Sequence, residues 1–218
     1  MNEQRIDVCI VDDHAMVRLG IIRLLSLSSR IGTIYEAGDG LQLLELLKDK
    51  TPDVILLDLQ MPGMSGKEVC QVLAKDFPAI KIIILTMNDG LEMVEYLIQQ
   101  GAHGFISKSS STDDLEQGII AVIDKGFYYN DLVYRALQRT RATGSSNKNA
   151  LSLLSNREIE IIRLICDELT MKEIAKKLNI SEKTVQNHRF NIMEKLGIHN
   201  TAGIVKYAIR NLLVEYNR

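Results

Sequence analysis

The sequence predicts two domains in series: a doubly wound α/β domain built on a five-stranded parallel sheet, then a small all-α domain of four helices. Three observations lead there. Short apolar runs alternate with helical periodicity as far as Lys125, a polar segment with Gly and Ser at its centre follows, and beyond it the periodicity is purely helical. A chain of 218 residues is long for one core and comfortable for two, because domains usually run to about 100–150 residues. The expected divisions are residues 1–125, a connecting helix and linker at 126–150, and residues 151–218.

The strands are expected in the runs IDVCIV, TIYEA, DVILLDL, IKIIILT and HGFIS, and patterns such as MVRLGIIRLL and LQLLELLK fill the gaps between them with helix. The runs around Val54 and Ile82 are apolar on both faces, as central strands buried between two helical layers must be. Gln138 to Ala150 has no apolar period and reads as a flexible linker. Beyond it, helices are expected at Asn156–Asp167, Met171–Asn179, Glu182–Leu196 and Thr201–Leu212. Ser155 with Glu158, and Thr170 with Glu173, have capping-box spacing. The second and third of these helices are parted only by Asn179, Ile180 and Ser181. Asn suits a left-handed helix end and Ser the next N-cap, which together make a helix-turn-helix.

Composition narrows the class. Hydrophobic residues at 46% and charged residues at 25% are the balance of a folded protein rather than a disordered or fibrous one. No run approaches the roughly 20 apolar residues of a spanning helix, and MNEQRID lacks the apolar core of a signal peptide; a cytoplasmic protein without membrane partners is expected. Cys9, Cys70 and Cys166 show neither metal-site nor disulfide spacing. The net charge of -2 conceals an asymmetry. Residues 1–130 carry 11 Lys+Arg against 19 Asp+Glu, whereas residues 131–218 carry 15 against 9. A basic second half suits a polyanionic partner, since neutralising phosphates drives nucleic-acid affinity.

Polar residues fall at the carboxyl ends of the expected strands, where doubly wound sheets gather their functional groups. Asp12 and Asp13 follow the first strand, Asp58 closes the third, Thr86 the fourth, and Lys108 follows the fifth. Any single Asp there could be a turn or capping residue; five such positions together point to a site. Three carboxylates in one crevice repel each other, and a hard divalent cation such as Mg²⁺ relieves that repulsion while taking oxygen ligands. Asp58 could then attack a phosphoryl donor, with the cation and the Lys108 ammonium neutralising the transferring group. His14 beside the acidic pair reads as helix-start packing or a solvent contact, because Mg²⁺ prefers oxygen.

VDDH at Val11–His14, LLDLQMPGMSG at Leu56–Gly66, ILTM at Ile84–Met87 and GFISKS at Gly104–Ser109 resemble the receiver family of two-component response regulators, of the NarL/FixJ type. The resemblance implies a flavodoxin-like receiver in which Asp58 is the phosphoacceptor, and Asp12 and Asp13 bind Mg²⁺ with Asp58 and the backbone carbonyl of Gln60. It also implies that Thr86 hydrogen-bonds the phosphoryl group and Lys108 pairs with it. Phe105 stands where the family has its switch aromatic, or else packs as an ordinary strand residue. Ser109 follows Lys108 where many receivers have proline.

In the third helix of the second domain, 100° per residue gathers Val185, Ile192, Met193 and Leu196 on one face. The opposite face carries Lys183, Asn187, Phe190 and Asn191, with Gln186 at its edge and Arg189 nearer the packing side. Lys binds phosphate or guanine, Asn and Gln pair with adenine, and an outward Phe suits a thymine methyl. The stretch from LSNREIEII to MEKLGI resembles the LuxR-type DNA-binding domain. That resemblance implies DNA contact at or near Lys183, Thr184, Gln186, Asn187 and Arg189, and a last helix that supports dimerisation. Gln186 replaces the lysine common at its position, which removes a charge.

The expected function is that of a transcriptional regulator rather than an enzyme, with no catalytic residue of its own. A histidine kinase phosphorylates Asp58, and a homodimer binds double-stranded DNA. Two restraints on the unphosphorylated chain stay open at this point: masking of the recognition helix, or blocking of dimerisation. A haloacid-dehalogenase-type phosphohydrolase would need a DxD motif after the first strand, and the chain has the adjacent pair Asp12-Asp13. A phosphate-independent receiver would usually lack one of the acids or the lysine, and all are present.

Overall fold

The computed structural model describes residues 5–87, 91–130, 133–134, 137, 153–211 and 213–214. Five parallel strands form the sheet: β1 Ile6–Val11, β2 Ile31–Ala37, β3 Val54–Asp58, β4 Lys81–Thr86 and β5 Gly104–Ser107, in the order β2-β1-β3-β4-β5. Helices α1 Ala15–Leu25, α2 Gly40–Leu46, α3 Gly66–Asp76, α4 Leu91–Gln99 and α5 Thr112–Lys125 connect and follow them. Period-two alternation divides the apolar residues. Val8 and Ile10 of β1 join Leu25, Leu115, Ile119 and Val122 in a core under α1 and α5. Cys9 and Val11 instead face Leu43, Val69, Leu73, Val94 and Leu97, under α2, α3 and α4. All of β3 is buried, as its continuous apolar run requires.

The strand order reverses between β1 and β3, and this is where an open α/β sheet forms a crevice at the carboxyl ends of its strands. Register then aligns the polar residues. Val11 lies opposite Leu57, Asp58 opposite Leu85, and Thr86 opposite Ser107, so the residues that close or follow these strands fall on one edge.

The second domain holds α6 Asn156–Cys166, α7 Met171–Leu178, α8 Glu182–Leu196 and α9 Thr201–Arg210. Ser155 with Glu158 and Thr170 with Glu173 form the two capping boxes that their spacing predicts. Asn179 ends α7 in the left-handed conformation at φ 53°, and the Ser181 side chain caps α8 by accepting from the Thr184 amide. α9 stops at Arg210, short of the expected Leu212, because Asn211 leaves the helix and its Nδ2 donates to the Tyr207 carbonyl at 2.9 Å. The expected linker at Gln138–Ala150 lies outside the described residues.

The two halves share a boundary. Beyond α5, Phe127, Tyr129, Val133, Tyr134 and Leu137 are buried, continuous with the core that runs beneath α4 and into the second domain. Tyr129 Oη donates to the Ala202 carbonyl at 2.8 Å. Asn200 caps α9 through Oδ1, and its Nδ2 donates across the boundary to the carbonyls of Gly101 at 2.8 Å and Ala102 at 3.2 Å. Gly126, the left-handed cap of α5, lies so close to α9 that a β-carbon there would sit 2.7 Å from Thr201 Oγ1.

Candidate functional site

At the crevice, Asp12 and Asp58 are buried and Asp13 is exposed. Lys108 reaches between the buried pair, with Nζ 2.7 Å from Asp12 Oδ2 and 2.7 Å from Asp58 Oδ2. Neither oxygen has a directed hydrogen bond, so the contacts are of charge on charge. Burial pulls the Lys108 pKa down, but the two carboxylates outweigh burial and hold the ammonium above its ordinary value. The remaining oxygens face backbone: Asp12 Oδ1 accepts from the His14 amide at 2.8 Å, and Asp58 Oδ1 from the Gln60 amide at 3.3 Å. Thr86 ends β4 buried at the same edge, and the Lys108 amide donates to its carbonyl at 3.0 Å. Phe105 is buried in β5, three residues before Lys108.

Asp12, Asp13, His14 and Asp58 bring one ligand atom each within 4.8 Å of one another. His14 stands at the N-cap of α1 without capping it; its ring is exposed, and Nδ1 lies 2.8 Å from Asp13 Oδ1. Two further residues shape the pocket without a signal in the linear pattern. Arg18 Nη1 donates to the Asp12 carbonyl at 2.6 Å while its Nε donates to Glu36 Oε2 at 3.1 Å, tying the β1 end to α1 and β2. Gly66 packs against the strand end that carries Asp58, where a β-carbon would meet the Asp58 carbonyl at 2.1 Å. Gly66 lies inside the LLDLQMPGMSG motif, but only the packing shows why no side chain fits.

The second set of candidates lies on α8. Lys183, Gln186, Asn187, Phe190 and Asn191 are exposed, Thr184 is half-buried, and Val185 and Ile192 are buried as the helical wheel requires. Phe190 keeps 61% of its surface open, a large value for an aromatic side chain. Arg189 is drawn away from this face: Nη1 lies 3.5 Å from Thr201 Oγ1, and Nε is buried without a partner. Glu158, buried in the α6 capping box, receives Lys195 Nζ at 2.8 Å on both carboxylate oxygens, which braces α6 against α8.

Residues 8–120 match the family model for the response regulator receiver domain, and residues 152–208 that for bacterial regulatory proteins of the luxR family. Oxygen regulatory protein NreC of Staphylococcus aureus is 36% identical over 216 residues, which span 96% of this chain and 99% of that protein. The chain is a NarL-type response regulator. Among solved structures, the regulator is similar to RcsB of Salmonella typhimurium at 28% identity and TM-score 0.58, over 94% of this chain and 98% of that one. An RcsB–DNA complex matches at 29% identity and TM-score 0.57, with coverage of 94% and 98%. Receiver and LuxR-type domain together make the regulator a phosphorylation-dependent, DNA-binding transcription regulator of a two-component system. Among the described residues no helix is long and apolar enough to cross a membrane.

Proposed function

We propose that Asp58 accepts a phosphoryl group from a sensor histidine kinase and that the phosphorylated regulator binds double-stranded DNA as a homodimer through α8. The supporting observation is the placement of Asp58, buried at the switch point of the sheet with an ammonium 2.7 Å away and two more carboxylates beside it. In the transfer, a carboxylate oxygen of Asp58 forms a bond to phosphorus as the P–N bond of a phosphohistidine breaks and the imidazole leaves with the electron pair. Lys108, already charged and pre-placed, moves from pairing with two carboxylates to pairing with the phosphoryl oxygens. The Thr86 hydroxyl donates to the same group.

The donors suit a hard divalent cation, being carboxylate and carbonyl oxygens with two buried oxygens that lack directed hydrogen bonds. Asp12, Asp13, Asp58 and the Gln60 carbonyl would hold Mg²⁺, which would draw charge from the phosphoryl oxygens. We place the division of the chain at 1–125 for the receiver, 126–150 for the connection and 151–218 for the DNA-binding domain, with the cytoplasm as the compartment that holds both kinase output and DNA. On α8, Lys183, Gln186, Asn187, Phe190 and Asn191 would face the major groove, and Thr184 and Arg189 the adjoining backbone.

Incubation with acetyl phosphate and Mg²⁺, followed by intact mass, tests the acceptor. One phosphoryl group should appear on the wild-type chain and none on Asp58→Asn. Labelling of Asp58→Asn to the same extent would overturn the assignment.

A further inference from the structure

At the end of the sheet opposite Asp58, hydrogen-bond donors gather without acceptors. Lys81 opens β4, at the other end of that strand from Thr86 and so roughly 16 Å from the phosphoacceptor edge. The Ile82 amide donates to His103 Nδ1 at 3.2 Å and the His103 amide to the Ile82 carbonyl at 2.8 Å, which seats the ring beside the start of β4. Asn200 Nδ2 holds the carbonyls of Gly101 and Ala102, just before His103, and the next residue of α9, Thr201, stands with Oγ1 3.5 Å from Arg189 Nη1. Lys81 and Arg189 are half-buried, and the charges of both bear on His103.

Each of the three keeps a donor unmet. His103 is only 7% exposed. Because its Nδ1 accepts, the neutral ring carries its proton on Nε2, which meets no acceptor among the described residues. Arg189 Nε is buried without a partner. Burial, then the Arg189 charge, holds the Lys81 pKa below its ordinary value, and burial lowers that of Arg189, with no carboxylate offsetting either. Other cations of this boundary are paired: Lys206 and Arg210 with Glu95, and Lys125 with Glu168. Unmet buried donors call for an ion or a water. A water would meet them but leave two like charges side by side, so an anion is the better complement.

We propose that Lys81, His103 and Arg189 form a binding site for a small tetrahedral oxyanion of the phosphate class, which ties α8 to the receiver. The lysine supplies a point charge, the guanidinium a fork that suits two oxygens, and the imidazole a single N–H. A tetrahedral anion has enough acceptors for three donors arriving from three directions, and the positive end of the α9 dipole at Thr201 adds to its field. The site uses none of the Asp58 crevice and stands apart from the proposed function. Because Arg189 is also the α8 residue proposed to adjoin the DNA backbone, the bound oxyanion competes with DNA phosphate for one guanidinium.

Thermal melting of the full chain with inorganic phosphate in EDTA, against chloride at equal ionic strength, tests the site; without a divalent cation the acidic crevice repels phosphate. Phosphate should raise the melting temperature of the wild type saturably. Lys81→Met and Arg189→Met, which remove a cation and keep its aliphatic bulk, should each shift the response to at least about tenfold higher phosphate, the scale of one lost charge-assisted hydrogen bond. Labelling of both variants by acetyl phosphate and Mg²⁺ at the wild-type rate checks that they are folded. Histidine ring resonances place the anion: phosphate should move His103, assigned with His103→Gln, and leave His14 at the crevice unmoved. If phosphate and chloride act alike on the wild type, if the variants respond as the wild type does, or if His14 moves and His103 does not, the inference fails. Each of those outcomes leaves the labelling of Asp58 untouched, so the proposed function stands or falls separately.

Discussion

Without Lys108, the buried carboxylates of Asp12 and Asp58 would face each other with no cation between them. Lys108→Met should therefore lower stability by about 3 kcal/mol, the scale of a buried ion pair losing one partner, and Mg²⁺ should restore much of it. Denaturant unfolding with and without Mg²⁺ measures both; unchanged stability would show that the ammonium is not what offsets the acids. His103 supplies a second residue-scale expectation. Burial first, then the charges of Lys81 and Arg189, push its pKa down to about 3, and its Nδ1 accepts from the Ile82 amide as a neutral ring. A base held neutral binds its proton more readily when unfolded, so this stability is full above the ordinary histidine value and is lost as pH falls from about 6.5 toward about 3. His103→Gln should flatten the melting temperature against pH over that window, and an unaltered slope would assign the acid sensitivity to other groups. The gathering of Lys108 with the acids was legible from the strand ends, whereas the His103 effect was not, because His103 has no neighbour in the sequence with which to pair. Its partners come from β4 and from α8, the latter more than 80 residues away.

At the scale of elements, much was legible. Apolar alternation located all five strands, and the SxxE and TxxE spacings located the starts of α6 and α7, because both signals are local and need no knowledge of packing. The loop between β3 and α3 was not: Gly66 is required by a backbone approach that only the folded strand creates. Gly66→Ala should cost about 1–3 kcal/mol by overpacking and slow labelling of Asp58, read by thermal melting and by the rate of phosphoryl gain. On α8 the exposed residues should separate by chemistry. Asn187→Ala should cost about 1–3 kcal/mol of binding at specific sites only. Lys183→Ala, if it meets phosphate, should weaken binding to all duplexes and reduce the salt slope by about one. Titrations on specific and random DNA at several salt concentrations distinguish the two.

For the whole molecule, the basic charge of the second half pointed to a polyanion-binding domain before any contact was known. The boundary between them was illegible. Glu95 and Lys206 are more than a hundred residues apart, and each looks like an ordinary charge on a solvated helix until α9 docks on α4. That boundary buries Tyr129, Asn200 and Lys206 with polar groups met by partners on its other side.

The most direct measurement is the affinity of the full chain for a duplex selected from a random library, taken with acetyl phosphate and Mg²⁺ for wild type and for Asp58→Asn in parallel. Wild type should bind at least about tenfold more tightly when phosphorylated, a typical coupling between two sites, with two chains on each duplex, and Asp58→Asn should not respond. Equal affinity for both proteins, with phosphorylation of the wild type verified by mass, would contradict control of DNA binding through Asp58.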